Sequence, residues 1–421
     1  MADNSFTSIR SLLGALAKAL NLINPYVEHH HEQTAYFSYF LARRMGLDDE
    51  AVHTVVYAAL LHDVGTIVHE EPKTLRELEG RAREYAYIGA EMLRDLPNFG
   101  PISDVIRYCQ TPWSILREEI TDSACMVCAR SASVIHLADV LASHIDPDKR
   151  VLNQVDGLCA MAEAQRGRAF LPEAVDALLA FRDMEVFWMD ALKNPTFLML
   201  FTGEFHRVTL EQTLELTKLM SRIIDYRSSF TAMHSAGVSA AAKALAKLSG
   251  MSAEDCIKME IAGNLHDVGK LAVPREILEK NGKLTREEFN IIREHPYYTR
   301  LILMDVEGFN EIANWAGLHH EKLNGKGYPF HFDGSVLDLG SRIMAVADIF
   351  SAITEDRPYR KGMPKEKALS VLREDAARGE IDAELVELLA SHYEQVDAER
   401  ARSSAAAGSH YADYFTTHQA I

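Results

Sequence analysis

Cysteine is scarce in this chain, and its residues form no pattern that indicates disulfide bonds. The five are Cys109, Cys125, Cys128, Cys159 and Cys256, an odd and scattered set, whereas disulfide-stapled secreted domains carry close, even-numbered cysteines. The one Cys-x-x-Cys motif has no second pair, so we interpret it as two buried thiols on a helix rather than a zinc or redox site. The cysteine content therefore predicts a reducing, cytoplasmic location.

Basic residues and long apolar runs are also in short supply. Lys and Arg number 44 against 61 Asp and Glu, a net charge of −17, which excludes a general binder of polymeric nucleic acid or of anionic membranes. No apolar run reaches about 18 residues. Arg10 and Lys18 interrupt the N-terminal apolar stretch, so we expect no membrane contact and an amphipathic helix over residues 11–22. A local basic pocket for a small anionic ligand stays compatible.

The alternation typical of strands is nearly absent, whereas apolar residues recur at helical spacing. Gly and Pro cluster at few places, which we interpret as loops between helices. The chain is therefore predicted to be all-α. The clearest helical segments are Glu32–Met45, Ala51–Leu61, Ala236–Leu248 and Ala253–Leu265.

The tetrapeptide His-Asp-Val-Gly occurs twice, beginning at His62 and at His266. A histidine lies 32 residues before each copy, at His30 and His234, and a glycine lies 16 residues before each copy. An Ala-Asp pair in an apolar helix follows, its aspartate 76 or 81 residues after that of the tetrapeptide. We infer two homologous helical domains, at residues 1–145 and 229–398. Residues 146–228 form a helical connector or an extension of the first domain, and residues 399–421 a flexible tail.

The second copy carries residues that together are typical of a metal centre. Imidazole and carboxylate ligands suit Fe, Mn, Zn, Ni or Co. Seven ligands are too many for one tetrahedral ion but suit two ions about 3.5–4 Å apart, which can share a hydroxide and clamp a phosphate. The seven are His234, His266, Asp267, His295, His319, His320 and Asp348.

These residues stand in a pattern that resembles the bacterial HD-GYP family. The match covers about residues 229–396, while the first half resembles a plain HD domain. The whole chain is thus similar to tandem proteins with a degenerate HD domain before an HD-GYP domain. The matching segments are His234-Ser235, His266-Asp267-Val268-Gly269-Lys270, His295-Pro296, His319-His320-Glu321, Gly325-x-Gly327-Tyr328-Pro329, Ala347-Asp348 and Arg357-Pro358-Tyr359-Arg360.

The resemblance implies a metal-dependent phosphodiesterase of bacterial second-messenger signalling. It would convert cyclic di-GMP or hybrid cyclic GMP-AMP into a linear dinucleotide. The seven residues would bind two divalent ions, Fe or Mn in first place, with Zn, Ni or Co compatible. A metal-bridging hydroxide would attack phosphorus in line and break the 3′ P–O bond. Lys270 would act beside Asp267 on the phosphate charge, and Tyr328, Arg357 and Arg360 would position the dinucleotide.

Three positions depart from the family pattern. Three-metal members carry a glutamate one helical turn before the first histidine, where this chain has Phe230. We therefore predict two ions rather than three. Asn324 and Ser351 stand where members often have aspartates, and both could tune the loop geometry or the substrate preference.

The first copy is eroded but keeps a one-metal set of His30, His62, Asp63 and Asp139. Of the run at residues 29–31, only His30 is expected to point inward. One ion could serve there as a structural clip or in weak hydrolysis; alternatively the residues are remnants in a domain that senses or dimerises. We favour a non-catalytic regulatory or packing role. The replaced positions are Thr66 for Lys270, Tyr85 for His295, and Cys109 and Gln110 for His319 and His320.

Two other classes of function stay open. A signalling adaptor would bind the dinucleotide and pass its state to a protein partner with little turnover. Another metal phosphohydrolase would act on a mononucleotide or a phosphorylated small molecule, although the Gly-Tyr-Pro loop weighs against it. A homodimer is compatible with the sequence but not indicated by it.

Overall fold

A computed structural model describes residues 6–23, 29–68, 75–94, 99–120, 122–193, 207–225, 227, 233–280, 282–356 and 361–418. Over these residues the chain is helical, which confirms the predicted all-α class. The strands there are limited to one antiparallel pair, Thr7–Ser8 with Arg207–Val208, and one isolated bridge. The chain divides into an N-terminal unit, residues 16–206, and a C-terminal unit, residues 1–15 with 207–421.

The helices of the first half bury a core of aliphatic and aromatic side chains. Phe37, at the centre of this core, contacts Phe187 and Trp188 with ring centroids 5.5 and 5.9 Å away. Residues 146–193 thus pack onto the first domain as an extension of it. The helices are Ile9–Asn21, His30–Arg44, Asp49–Leu61, Leu75–Arg94, Gly100–Tyr108, Trp113–Glu119, Ser123–His144, Val155–Ala164, Pro172–Leu179 and Glu185–Lys193.

The C-terminal unit is built around the helix His234–Leu248, which packs against its neighbours through small residues. Ala241, Ala242 and Ala244 of this helix are buried, and a Cβ on Gly263 would contact Ser239. Small side chains let the helix axes approach closely. The helices are Leu210–Asp225, His234–Leu248, Ala253–Leu265, Arg275–Leu278, Arg286–Ile292, His295–Met304, Asn310–Gly317, Leu339–Thr354, Lys365–Ala377, Ala383–Ser391 and Tyr393–His418.

The repeated tetrapeptide lies at the same structural position in both units. Gly46 and Gly250 end the preceding helices with φ of 75° and 81°, a left-handed conformation that favours glycine. Asp48 and Ser252 then cap the next helix by accepting from backbone N–H groups. Each such helix leads through the tetrapeptide into a 3-10 turn, Val64–Val68 or Val268–Ala272.

Two regions differ from the sequence expectations. The predicted tail continues the helix Tyr393–His418, because Arg400 and Ser404 are buried and the Ser404 hydroxyl donates to the Met233 carbonyl at 3.0 Å. The interpretation of the Cys-x-x-Cys pair as buried is wrong. Cys125 is exposed and Cys128 half-buried, because they lie in the first turns of Ser123–His144, near the surface.

Two stretches of the N-terminal unit have the length and composition of a membrane span. Asp49–Val68 and Cys125–His144 each comprise 20 residues with a mean hydropathy of 1.4. Within the unit, 67% and 56% of their apolar windows are buried. Buried core helices of globular units have the same composition, so these stretches carry little weight as spans.

Candidate metal centre

The seven predicted ligands of the C-terminal unit come together from the ends of several helices. His234 and His295 each begin a helix, and His266 ends one, with Asp267 immediately after it. His319 and His320 follow the helix Asn310–Gly317, and Asp348 lies inside Leu339–Thr354. All are buried except His320, which is half-buried.

Asp267 lies between two sets of imidazole nitrogens. Its Oδ2 is 3.3 Å from Nε2 of His266. Its Oδ1 is 3.3 Å from Nε2 of His295 and 4.0 Å from Nε2 of His319. One carboxylate therefore faces both sets of histidines, as a bridge between two ions would.

Asp348 completes one side of the centre. Its Oδ1 is 3.1 Å from Nε2 of His234 and 4.0 Å from Nε2 of His266, and its Oδ2 is 3.8 Å from Nδ1 of His320. Three clusters in this unit each bring three ligand atoms within 4.8 Å of one another. The clusters are His234–His266–Asp348, His266–Asp267–His319 and His295–His319–His320.

Backbone carbonyls orient three of the imidazoles. Nδ1–H of His266, His295 and His319 donates at 2.8, 2.7 and 2.6 Å to the carbonyl three residues earlier. This bond places the proton on Nδ1 and leaves Nε2 with a lone pair directed into the centre, as in metal-binding histidines. The local helix ends thus select the ligand atom.

The chemistry of the donor set fits divalent cations. Among the described residues, the buried Nε2 of His266 and Oδ1 of Asp267 have no hydrogen-bond partner, although buried polar atoms nearly always have one. Burial lowers the pKa of His320 to about 3 and also lowers the pKa of His295 and His319. Neutral imidazoles are the form that binds metal.

The two carboxylates are held in their ionised form. Burial opposes ionisation of Asp267, but His266 and Lys270 hold its pKa well below the usual value. Burial likewise opposes ionisation of Asp348, whose pKa is lowered by its hydrogen bond with His234 and by the charge of His320. Lys270 lies beside the centre, with Nζ donating to Oδ2 of Asp267 at 2.5 Å.

Glu355 is a site residue that the sequence did not reveal. Its Oε2 is 3.3 Å from Nδ1 of His234, and its side chain is buried. Burial disfavours the charged imidazole, but Asp348 and Glu355 together raise the pKa of His234 to about 9. Glu355 lies seven residues after Asp348, but beyond the helix end at Thr354, so helical periodicity gives no signal for it.

Tyr328 of the signature loop lies against the centre, with its ring centroid 4.8 Å from that of His320. Asn324 is turned away, since its Nδ2 donates to the Arg378 carbonyl at 3.2 Å, and Ser351 is buried. Three residues from the sequence analysis lie outside the described residues: Phe230, Arg357 and Arg360.

The N-terminal unit also brings its four predicted ligands together. Nε2 of His30 is 3.0 Å from Oδ1 of Asp139 and 3.3 Å from Nε2 of His62. Nε2 of His62 is 3.3 Å from Oδ2 of Asp63. Nδ1–H of His62 donates to the Ala59 carbonyl at 2.8 Å, the same orientation as in the other unit.

The run of three histidines differs from expectation, because both His30 and His31 are buried. Nδ1–H of His31 donates at 2.5 Å to Oδ1 of Asn21, whose amide donates to Glu32. This polar chain lets a second imidazole enter the core beside the ligand. A cavity of about 350 Å³ adjoins the centre, and its walls include His30, Asp63, Arg83, Tyr85, Gln110 and Asp139.

Comparison with known proteins extends these observations. Two HD domain family models match residues 27–147 and 218–385. The 3′3′-cGAMP-specific phosphodiesterase 1 of Vibrio cholerae is 30% identical over 410 residues, which are 92% of each chain. The cyclic di-GMP phosphodiesterase response regulator RpfG of Xanthomonas campestris is 35% identical over 164 residues, 38% of this chain and 43% of the relative.

A crystal structure of a cyclic GMP-AMP-specific phosphodiesterase from Vibrio cholerae, V-cGAP3, shares the fold. It superposes with a TM-score of 0.66 at 21% identity over 92% of this chain and 98% of the other. The similarity to a full-length relative runs through both HD domains, and the second domain carries the Gly-Tyr-Pro signature beside the seven-residue set. On this evidence the chain belongs to the HD-GYP family of phosphodiesterases.

Proposed function

We propose that the C-terminal unit hydrolyses a cyclic dinucleotide to a linear dinucleotide with two divalent metal ions. The observation that carries this proposal is the position of Asp267, whose two oxygens face separate sets of imidazole nitrogens. The relatives are named for cyclic GMP-AMP or cyclic di-GMP. Since the relative that covers both units is cGAMP-specific, we favour 3′3′-cyclic GMP-AMP as the substrate.

The seven residues divide into two ligand sets that share Asp267. His234, His266 and Asp348 would hold one ion, and His295, His319 and His320 the other. When bound, the ions supply a hydroxide nucleophile at neutral pH and neutralise charge on the phosphate. Fe or Mn fits this ligand set best in our proposal, and Zn, Ni or Co would also be accepted.

The remaining residues act on the substrate itself. Lys270, with Nζ beside Asp267, would donate to a non-bridging phosphate oxygen and offset the charge that grows there as the 3′ P–O bond breaks. Tyr328, half-buried against His320, would form a wall of the substrate pocket. Arg357 and Arg360, outside the described residues, stay predicted contacts of the dinucleotide.

For the N-terminal unit we propose a non-catalytic regulatory or packing role. Its centre offers His30, His62, Asp63 and Asp139, enough for one ion but not two. Thr66 stands where Lys270 stands in the other unit, so no cation is available there for a phosphate.

The test is turnover by the full chain loaded anaerobically with Fe(II) or Mn(II). We expect linear product from cyclic GMP-AMP, cyclic di-GMP or both, and two metal ions in the C-terminal unit. Product without added metal in a chelator-treated sample would contradict the mechanism. Two bound ions with dinucleotide binding but no product would instead support the adaptor function.

A further inference from the structure

A groove of about 500 Å³ lies beside the metal centre, on the far side of Tyr328. Asn290, Arg293, Glu294, Tyr297, Tyr298 and Pro329 line it. None of these residues is in the ligand set, and the sequence analysis singled out none of them as a functional residue. Its volume is in the range of small-molecule sites.

The ring of Tyr328 connects the groove to the centre. On one side its centroid is 4.8 Å from the His320 ring. On the other side the guanidinium carbon of Arg293 is 5.2 Å from the same centroid, and the Phe289 ring is 6.2 Å away. Glu294 directly precedes the ligand His295. A substrate with its phosphate at the centre therefore has the groove within reach of one of its nucleotides.

The polar groups of the groove are available for a ligand. Over the residues that the structure describes, the side chains of Asn290, Arg293 and Glu294 have no hydrogen bond or ion pair within the chain. Nearby arginines differ, since Arg300 donates to Asn314 and Arg342 donates to Asp382. Unlike those arginines, Arg293 has its donors unused.

The aromatic groups of the groove suit a flat ring. Tyr297 is 46% exposed, although a tyrosine would usually bury more of its ring. Its centroid lies 5.6 Å from that of Tyr298, at an interplanar angle of 74°. Exposed aromatic faces and arginine planes are the surfaces on which unpaired nucleobases stack.

We propose that this groove binds one nucleobase of the substrate and that it prefers guanine. A guanidinium donates to O6 and N7 of guanine, and a carboxylate accepts from N1–H and the 2-amino group. Adenine offers a donor where guanine has O6 and lacks the 2-amino group, so Arg293 and Glu294 complement guanine only. The proposal rests on the proposed function for the identity of the substrate, but the binding site can be tested without turnover.

The experiment is calorimetric titration of the metal-loaded full chain with GMP, AMP and ribose 5-phosphate. We expect GMP to bind at least about 10-fold more tightly than the other two, the discrimination of one good bidentate contact. Tyr297→Ala and Arg293→Ala should each abolish this preference. Arg293→Lys should also abolish it, because an ammonium group cannot reproduce the planar fork.

Arg373→Ala is the matched control. Arg373 is exposed on another helix and pairs with Glu387 at 2.7 Å, so this variant should keep the GMP preference. Equal affinity of the wild-type chain for GMP and ribose 5-phosphate would overturn the nucleobase site. Equal affinity for GMP and AMP, both tighter than ribose 5-phosphate, would overturn the guanine preference. Circular dichroism of each variant separates lost binding from lost folding.

Turnover of cyclic dinucleotides distinguishes this inference from the proposed function. If both hold, Arg293→Ala raises KM about 10-fold and leaves kcat within about twofold, the pattern for lost uniform binding. A GMP preference without any dinucleotide turnover would remove the proposed function and leave the groove as a nucleotide site. Turnover with an unchanged KM in Arg293→Ala would remove the groove from substrate recognition.

Discussion

The two units carry the same four-residue set in the same geometry, yet only one of them has the residues for two ions. His30 and His234 each lie about 3 Å from the aspartate that ends the pattern, at 3.0 and 3.1 Å. In the C-terminal unit His320 also faces that aspartate. In the N-terminal unit Gln110 takes this place and donates to Asp139 at 2.7 Å. An amide that stabilises the carboxylate has thus replaced an imidazole that could bind metal.

The backbone around the two centres has diverged less than the side chains. A Cβ on Gly269 would collide with the carbonyl of His295, and a Cβ on Gly65 would collide with that of Tyr85. Both glycines are therefore required by the same close approach. This contact also supports the pairing of Tyr85 with His295 that the sequence alignment predicted. The frame persists where the ligand is lost.

The support behind the first histidine also differs. Nδ1 of His234 faces the buried carboxylate of Glu355. Nδ1 of His30 is buried without a hydrogen-bond partner among the described residues. Carboxylates behind a ligating histidine orient it and raise its basicity. The C-terminal centre is thus built for tighter metal binding than the N-terminal one.

The largest expected contrast is between the two bridging-position aspartates. Asp267→Ala should lower turnover by on the order of 1,000-fold or more, because both ion sites lose their shared ligand. Asp63→Ala should leave turnover within a few-fold. Steady-state kinetics with metal analysis of both variants checks this. Comparable losses in both would show that the N-terminal centre takes part in the reaction.

Lys270 and its counterpart Thr66 provide the second contrast. Lys270→Ala should lower kcat by about 100- to 1,000-fold, since it removes a donor aimed at developing charge. Lys326→Ala, an exposed lysine of the signature loop, is the charge-matched control, and Thr66→Ala tests the other unit. Both should retain wild-type turnover. A Lys270→Ala enzyme with unchanged kcat would remove the lysine from the mechanism.

Glu355→Gln should weaken metal binding in the C-terminal unit by about 10- to 100-fold, the usual effect of losing such a support. The expected readout is the chelator concentration that halves the metal content, with kcat restored at saturating metal. Glu399→Gln, a carboxylate distant in sequence, is the matched control. If Glu355→Gln binds metal normally, the difference in histidine support between the two units has no functional weight.

Gln110→Ala should have the smallest effect. It removes one hydrogen bond to Asp139 and leaves a carboxylate oxygen without its donor, which costs about 1–3 kcal/mol. The thermal unfolding midpoint of the N-terminal unit should fall by several degrees, while kcat stays unchanged. Differential scanning calorimetry and kinetics on the same sample measure both. An altered kcat would indicate that the N-terminal centre controls the C-terminal one.

Much of this molecule follows from local sequence pattern. The apolar spacing predicts Ala253–Leu265 with both ends correct, and the repeated tetrapeptide identifies the two centres before any coordinates. Local rules suffice here because helix formation and capping depend on residues within a few positions of one another. The seven ligands are also recognisable from their order along the chain.

The misses share a different cause. Arg400 and Ser404 have a polar composition typical of a tail, but burial against the His234–Leu248 helix stabilises their helix. His31 enters the core because Asn21, ten residues away, offers it a hydrogen bond. Tertiary contacts override local propensity in both cases.

The sequence by itself therefore determined the helices, the duplication and the identity of the ligand set, since these depend on residue type and short-range spacing. Only the tertiary structure decided which atoms face one another. It directed both oxygens of Asp267 toward different imidazoles, placed Glu355 behind His234 and put the Arg293 groove on the far side of Tyr328. Such juxtapositions arise from how helices pack over long sequence separations, and spacing along the chain carries no record of them.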